Sequence, residues 1–258
     1  MPATISGIAA SLGPLARRFD IDVVASCDST NALLLARAET GAPSGSVVVA
    51  NEQTAGRGRR GRTWYARPGD SLAFSLLWRF APGTTPAGLS LAAGVAVTRA
   101  LAKVGSGDTA LKWPNDILRE GRKLGGILVE LVAGAPQAAV IGIGLNLRLP
   151  ANLPEDLRAS TGALPAGLPA EDALYATLLA ELLDVLETFA ADGFPALRAE
   201  WLARNAHADA EVMLLSDFAA PRRGVCRGVD ADGALLFEHD GQVERVIAGE
   251  ISLRPAEA

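Results

Sequence analysis

Gly56-Arg57-Gly58-Arg59-Arg60-Gly61-Arg62-Thr63-Trp64 interleaves four cations with three glycines, and no protein core buries such charge uncompensated. The run matches GxGxxG formally. A dinucleotide fingerprint, however, requires a helix to open there, and Pro68-Gly69 interrupts the stretch from Trp64 to Asp70. There is also no GxxxxGK[ST], so a phosphate bound here is held by guanidinium groups and exposed backbone N–H groups. The plain alternative for a run of arginines is a solvated loop. Its company argues otherwise: Asp28-Ser29-Thr30-Asn31 and Gln53 supply compact polar groups, Lys112-Trp113-Pro114-Asn115-Asp116 joins a cation to a carboxylate, and Lys123-Leu124-Gly125-Gly126-Ile127-Leu128-Val129-Glu130 and Ile141-Gly142-Ile143-Gly144-Leu145-Asn146 set glycines within apolar runs. Read as chemistry, this is a set of cations for phosphate and carboxylate, one carboxylate suited to magnesium, and amides and hydroxyls for a small polar ligand.

Together with Gly249-Glu250-Ile251-Ser252-Leu253-Arg254, these blocks resemble the biotin protein ligase family in order and spacing, from about residue 20 to the end. The resemblance implies an ATP-dependent enzyme that converts biotin to biotinyl-5'-AMP and transfers it to a lysine of a biotin carboxyl carrier protein. It implies that Ser29, Thr30, Asn31 and Gln53, with the backbone of Gly56 and Arg57, surround the bicyclic head, while Gly142 and Gly144 allow close backbone approach. Lys123 is then expected beside the biotin carboxylate, and Arg59, Arg60 and Arg62, with Gly58 between them and Arg57, at the phosphates. Lys112 and Asn146 are expected at the nucleotide, Asn146 against the adenine edge, and Trp64 over the biotin tail. Asp116 is expected to hold magnesium, and Arg59, Lys123 and Asp116 to act in the chemistry. Ordinary roles remain open at several positions: a helix cap for Ser29 to Asn31, a surface lysine at 123, core packing for Trp64, turns at Asp116 and Asn146.

Two rival activities stay open. A lipoate or octanoate ligase on a related fold needs an apolar tunnel, and the polar cluster at Ser29, Thr30, Asn31 and Gln53 favours biotin instead. A non-enzymatic, DNA-occupying biotin sensor needs a reading helix; the repressor-type members of the family carry a winged helix at the N-terminus, and none is expected here.

These residues need elements to hold them. Ile21 to Ala25 and Val47 to Ala50 read as strands, with a helix over Ala32 to Ala38 behind the Asp28-Ser29-Thr30-Asn31 cap, and the arginines on the loop before a strand at Ser71 to Phe80. Leu89 to Val104 has helical spacing. Ala110 to Leu118, Gly126 to Val132 and Ala139 to Leu147 read as an antiparallel meander. Arg148 to Ala170 lacks periodicity and reads as a ligand-covering loop, mobile without ligand. Helices over Asp172 to Ala191 and Phe194 to Asn205 precede a small β-barrel from His207. The expected fold is α+β, with a mixed, largely antiparallel sheet packed on helices, as in class II synthetase-like biotin/lipoate ligases. A catalytic domain spans 1–206 and an SH3-like barrel 207–258.

The chain has 258 residues, 49% hydrophobic and 21% charged, with a net charge of −5. That balance argues against phosphate-backbone binding over a broad surface, so no nucleic-acid partner is expected. Cys27 and Cys226 make no disulfide framework or zinc spacing, and no export signal or membrane span is evident. A cytoplasmic enzyme is expected. A homodimer through a sheet edge stays open.

Overall fold

The computed structural model describes residues 2–65, 67–150, 153–216, 220–247 and 251–255. The chain opens with α1 (Ile5–Leu12), whose N-terminus is capped by the Thr4 hydroxyl accepting from the Gly7 N–H. Next comes a mixed sheet, built from β1 (Asp20–Val24), β2 (Ser46–Ala50), β3 (Ser71–Arg79), β4 (Thr109–Lys112), β5 (Asp116–Arg119), β6 (Arg122–Val132) and β7 (Ala135–Asn146). Its seven strands lie in the order β1-β2-β3-β7-β6-β5-β4. Only β1 and β2 run parallel, joined by the crossover helix α2 (Thr30–Glu39); the other pairings are antiparallel.

Alternation along the strands decides what each face carries. Val47, Val49, Leu72, Phe74, Leu76, Ile141, Ile143 and Leu145 point to the main core, where they meet α3 (Leu89–Lys103) and α5 (Glu171–Asp192). Each fully buried Leu, Ile, Val or Phe there contributes about 1.5–3 kcal/mol. The opposite face buries Val48, Leu77, Ala138 and Val140 under Leu34 and Ala38 of α2. Further along that face Ser75 stands opposite Gly142, Ala73 opposite Gly144, Ser71 opposite Asn146, and Gly126 of β6 opposite Gly144. Small residues on three adjacent strands leave a hollow where the helix ends.

The region read as one strand from Ala110 to Leu118 is two. Trp113, Pro114 and Asn115 turn the chain between β4 and β5, which pair with each other. Pro114 has no N–H to give to a ladder, and Asn115 fastens the turn to β6, its Nδ2 donating to the Ile127 carbonyl and its own carbonyl accepting from the Ile127 N–H, both at 2.9 Å.

Arg148 to Ala170 is more structured than its composition suggests. It contains α4 (Glu155–Arg158), and Lys123 and Thr161 form an isolated parallel bridge, the Lys123 N–H donating to the Ser160 carbonyl and the Gly162 N–H to the Lys123 carbonyl. Residues 151–152 of that segment lie outside the described residues.

After α6 (Pro195–Ala203) come β8 (Glu211–Ser216), β9 (Arg222–Val229), β10 (Leu235–His239), β11 (Gln242–Val246) and β12 (Ile251–Pro255). They form an antiparallel sheet in the order β11-β10-β9-β8-β12. Val212, Leu214, Phe237 and Leu253 from these strands belong to the same buried cluster as the large sheet's core. The Trp113 indole N–H donates to the Gly233 carbonyl at 3.1 Å and Arg198 Nε to the Val229 carbonyl at 2.7 Å, tying the small unit down.

Candidate active site

The hollow on the sheet is a cavity of about 830 Å³, the size of a site for a drug-sized ligand or larger. At one end lies a buried polar chain. Gln53 Oε1 accepts from the Thr30 N–H at 2.8 Å, capping α2 from outside, because Ser29 makes no capping bond. The Thr30 hydroxyl has one hydrogen to share between Gln53 Oε1 at 3.2 Å and Ser75 Oγ at 2.8 Å. Asn31 Nδ2 donates to Glu130 Oε2 at 2.7 Å, and a carboxylate only accepts, so the Asn31 amide is oriented by Glu130. Asn31 Oδ1 therefore faces Ser75, whose hydroxyl donates to it at 2.6 Å. Glu130 Oε2 also takes Arg57 Nη2 at 3.2 Å. One carboxylate thereby sets the direction of a chain reaching Thr30.

Gly142 and Gly144 serve this arrangement in an unexpected way. A Cβ on Gly142 would overlap Asn31 Oδ1, and one on Gly144 would overlap the Trp64 indole ring. The side chains approaching these glycines are the protein's own. Trp64 thus lies across the floor, its indole nitrogen buried with no hydrogen-bond partner among the described residues.

The arginine loop is pinned at both ends. Ala55 N–H donates to the Asp28 carbonyl, Trp64 N–H to the Gly56 carbonyl and Gly58 N–H to the Arg62 carbonyl, making a narrow hairpin. Its tip is a turn at Arg59–Gly61 with Arg60 at φ 58°. Arg57, Arg59, Arg60 and Arg62 all line the cavity, with Arg59 Nη1 donating to Asn115 Oδ1 at 3.3 Å. Gly56 does not line it; its carbonyl anchors Trp64, and a Cβ there would overlap the Trp64 carbonyl.

At the centre, Asp116, its side chain 14% exposed, pairs with Lys123 Nζ at 2.6 Å through one carboxylate oxygen and with Lys112 Nζ at 3.2 Å through the other. Burial pushes its carboxyl up, but the attraction of Lys123 and then Lys112 outweighs this and holds it below the usual carboxylate range. Two ammonium groups on one carboxylate leave a net positive site, ready for an anion. No group of three or more His, Cys, Asp or Glu could hold a metal among the described residues; a magnesium ion would have Asp116 alone as its carboxylate and would need substrate oxygens for its other donors, a set that fits its chemistry.

Asn146 is buried, and its Nδ2 donates to the Gly162 carbonyl at 2.9 Å, binding the 148–170 segment to β7. That amide donor is spent within the protein in this conformation. Except for Gly56, every residue expected at the site lines the cavity: Ser29, Thr30, Asn31, Gln53, Arg57, Gly58, Arg59, Arg60, Arg62, Trp64, Lys112, Asp116, Lys123, Gly142, Gly144 and Asn146. Sequence reasoning missed Ser75 and Glu130, which act through register; a serine inside an apolar strand was the available signal. It also missed Asn115, His207 and Arg254, which line the cavity; the motifs containing Asn115 and Arg254 were the signals there. Gly249 and Glu250, near Arg254 in sequence, lie outside the described residues.

Comparison with known proteins places this geometry. Residues 23–146 match the Biotin/lipoate A/B protein ligase family. The chain is 38% identical over 235 residues to the bifunctional ligase/repressor BirA of Escherichia coli, covering 89% of this chain and 73% of that protein. It is 37% identical over 241 residues to the biotin--[acetyl-CoA-carboxylase] ligase of Mycobacterium tuberculosis, covering 90% and 88%. The solved biotin protein ligase from Aquifex aeolicus in complex with biotin and ATP superposes with a TM-score of 0.80 at 26% identity, covering 92% of this chain and 99% of that one. The motifs, the mixed sheet and the cation-lined hollow on it agree with these likenesses, and the chain belongs to the biotin protein ligase family.

Proposed function

We propose that the cavity binds biotin and ATP side by side, joins them as biotinyl-5'-AMP, and passes the biotinyl group to a lysine of a biotin carboxyl carrier protein. The observation that carries this reading is one continuous hollow, with the Thr30, Asn31, Gln53 and Ser75 chain at one end, the Lys112, Asp116 and Lys123 cluster at its centre, and the arginine loop over it. Biotin needs hydrogen-bond partners for its ureido ring and a cation for its carboxylate, and Lys123 is that cation. When a carboxylate reaches Lys123, it takes over part of what Asp116 supplies now.

Bringing a carboxylate to the α-phosphate sets two anions against each other, a repulsion of about 4 kcal/mol at 4 Å and an effective dielectric of 20. Arg59, Arg60, Arg62 and Lys112 offset it, so catalysis is positioning and charge stabilisation. Asp116 would hold magnesium against phosphate oxygens, where the ion would stabilise the departing pyrophosphate. The catalytic part is 1–206, and 207–258 completes the wall through Leu253 and Arg254. The arginine loop turns toward the cavity, which suits substrate phosphates rather than nucleic acid. Both cysteines are free, and no described helix is long and apolar enough to cross a membrane; a reducing cytoplasm suits such a protein.

Biotin-dependent exchange of labelled pyrophosphate into ATP, run beside lipoate and octanoate, tests the reading. Exchange with biotin alone is the expected result, and exchange with lipoate or octanoate in its place would overturn it.

A further inference from the structure

His207 sits where the chain passes from α6 to β8, and it lines the cavity although only 8% of its surface is exposed. It is held there by backbone. Leu111 of β4 and Asn205 form a parallel bridge, the Ala206 N–H donates to the Leu111 carbonyl at 2.8 Å, and the His207 N–H donates to Asn205 Oδ1 at 3.1 Å. Its Nε2 is buried with no hydrogen-bond partner among the described residues. The ring is hydrogen-bonded to the Ala206 backbone, and a hydrogen on Nδ1 toward the Ala206 carbonyl leaves Nε2 with an unshared lone pair just behind the cavity wall.

Resting on the ligase reading, we infer that His207 is the proton acceptor for the transfer half of the reaction. The other groups in this wall argue for it. Arg57, Arg59, Arg60, Arg62, Lys112 and Lys123 are cations with no lone pair to offer, and Asp116 is held by two of them. Asp156 lies on α4 and is exposed. In the transfer step the neutral amine of the acceptor lysine attacks the acyl carbon; a C–N bond forms and the C–O bond to phosphate breaks. The electron pair leaves with AMP, and the proton shed by the amine goes to Nε2, giving an imidazolium. Adenylation, by contrast, sheds no proton from the attacking carboxylate and has no use for this group. Burial, and then the Lys112 ammonium, hold the imidazole below the ordinary histidine range, which keeps the lone pair available at pH 7.

Single-turnover transfer from preformed biotinyl-adenylate to acceptor protein separates the two half-reactions, with biotin-dependent pyrophosphate exchange measured on the same samples. His207→Ala and His207→Asn are expected to slow transfer about a hundredfold while exchange continues. Added imidazole restores transfer to the alanine variant, and the deficit narrows toward pH 10 as hydroxide takes over as proton acceptor. Equal loss of exchange and transfer, or transfer at the parent rate, overturns the assignment. Absence of biotin-dependent exchange in the parent protein would instead sink the ligase reading itself, and with it this role.

Discussion

Asp116 is the residue on which the centre of the site turns, because two lysines share its carboxylate. A carboxyl depressed on folding contributes stability that is present above its unfolded pKa, about 3.9, and is lost as the pH falls through the lower folded value. Since Lys123 and Lys112 together outweigh the effect of burial, Asp116→Asn is expected to flatten the fall in stability below about pH 4. Urea titrations from neutral to acid pH would show it; an unchanged acid limb would mean that the ion pairs do not govern it. At neutral pH the same variant leaves Lys112 and Lys123 without their shared counter-charge, so the protein becomes less stable there. Arg59 acts at the phosphate end in the proposed reading. Losing a charge-assisted contact of about 1.5–3 kcal/mol should loosen biotinyl-adenylate about ten- to a hundredfold. Arg59→Gly is accordingly expected to adenylate more slowly and to label bystander lysines with escaped intermediate. Retention of full acceptor specificity in a trapping assay would remove Arg59 from the phosphate.

At the scale of elements, the floor of the site is a matter of register between β3, β6 and β7. Gly144 stands opposite Ala73 and Gly126, and its missing side chain is where Trp64 lies. Gly144→Ala pushes the indole off the floor at a stability cost of about 1–3 kcal/mol. We expect biotin affinity, followed by calorimetry, to fall at least as steeply; parent-like affinity would show that Trp64 does not shape the pocket. Ser75 is fully buried and relays hydrogen bonding from Asn31 to Thr30. Ser75→Ala strands the Asn31 amide oxygen at a cost of about 1–3 kcal/mol, leaves the Thr30 hydroxyl to Gln53 alone and frees the end of the pocket to rearrange, so both stability and biotin binding should drop. A variant that loses stability but binds biotin as tightly as the parent would confine the relay to a structural role. The meander from β4 to β7 was readable in outline from alternating apolar residues. Its first hairpin was not, because Ala110 to Leu118 is apolar enough to pass for one strand and only the closure of β4 on β5 places Asp116 beside Lys112. Likewise the composition of Arg148 to Ala170 hid the bridge to Lys123, since the partner strand that orders it lies far away in sequence.

Across the whole molecule, the site is finished by the small C-terminal sheet, which contributes Leu253 and Arg254 to the wall and is tied to the large sheet through Trp113. Trp113→Phe keeps the apolar contact but leaves the Gly233 carbonyl without its donor, a loss of about 1–3 kcal/mol. It should lower the unfolding temperature and weaken ATP more than biotin, because Trp113 adjoins Lys112, which the proposed reading sets at the phosphates. If ATP and biotin affinities fell in parallel, or neither changed, the small sheet would not be shaping the nucleotide side selectively. The residue types in the motifs, the family resemblance that their order carries and the periods of the strands and helices were enough to point to the fold class and the activity, since cations, glycines and amides have fixed capacities wherever they lie. It took the folded chain to bring two lysines onto Asp116, to let Glu130 and Ser75 orient Asn31, to fill the space over the glycines with Asn31 and Trp64, and to bring His207 to Lys112 from the far end of the chain. Each of these depends on distance and burial between segments remote in sequence, and a one-dimensional pattern carries neither.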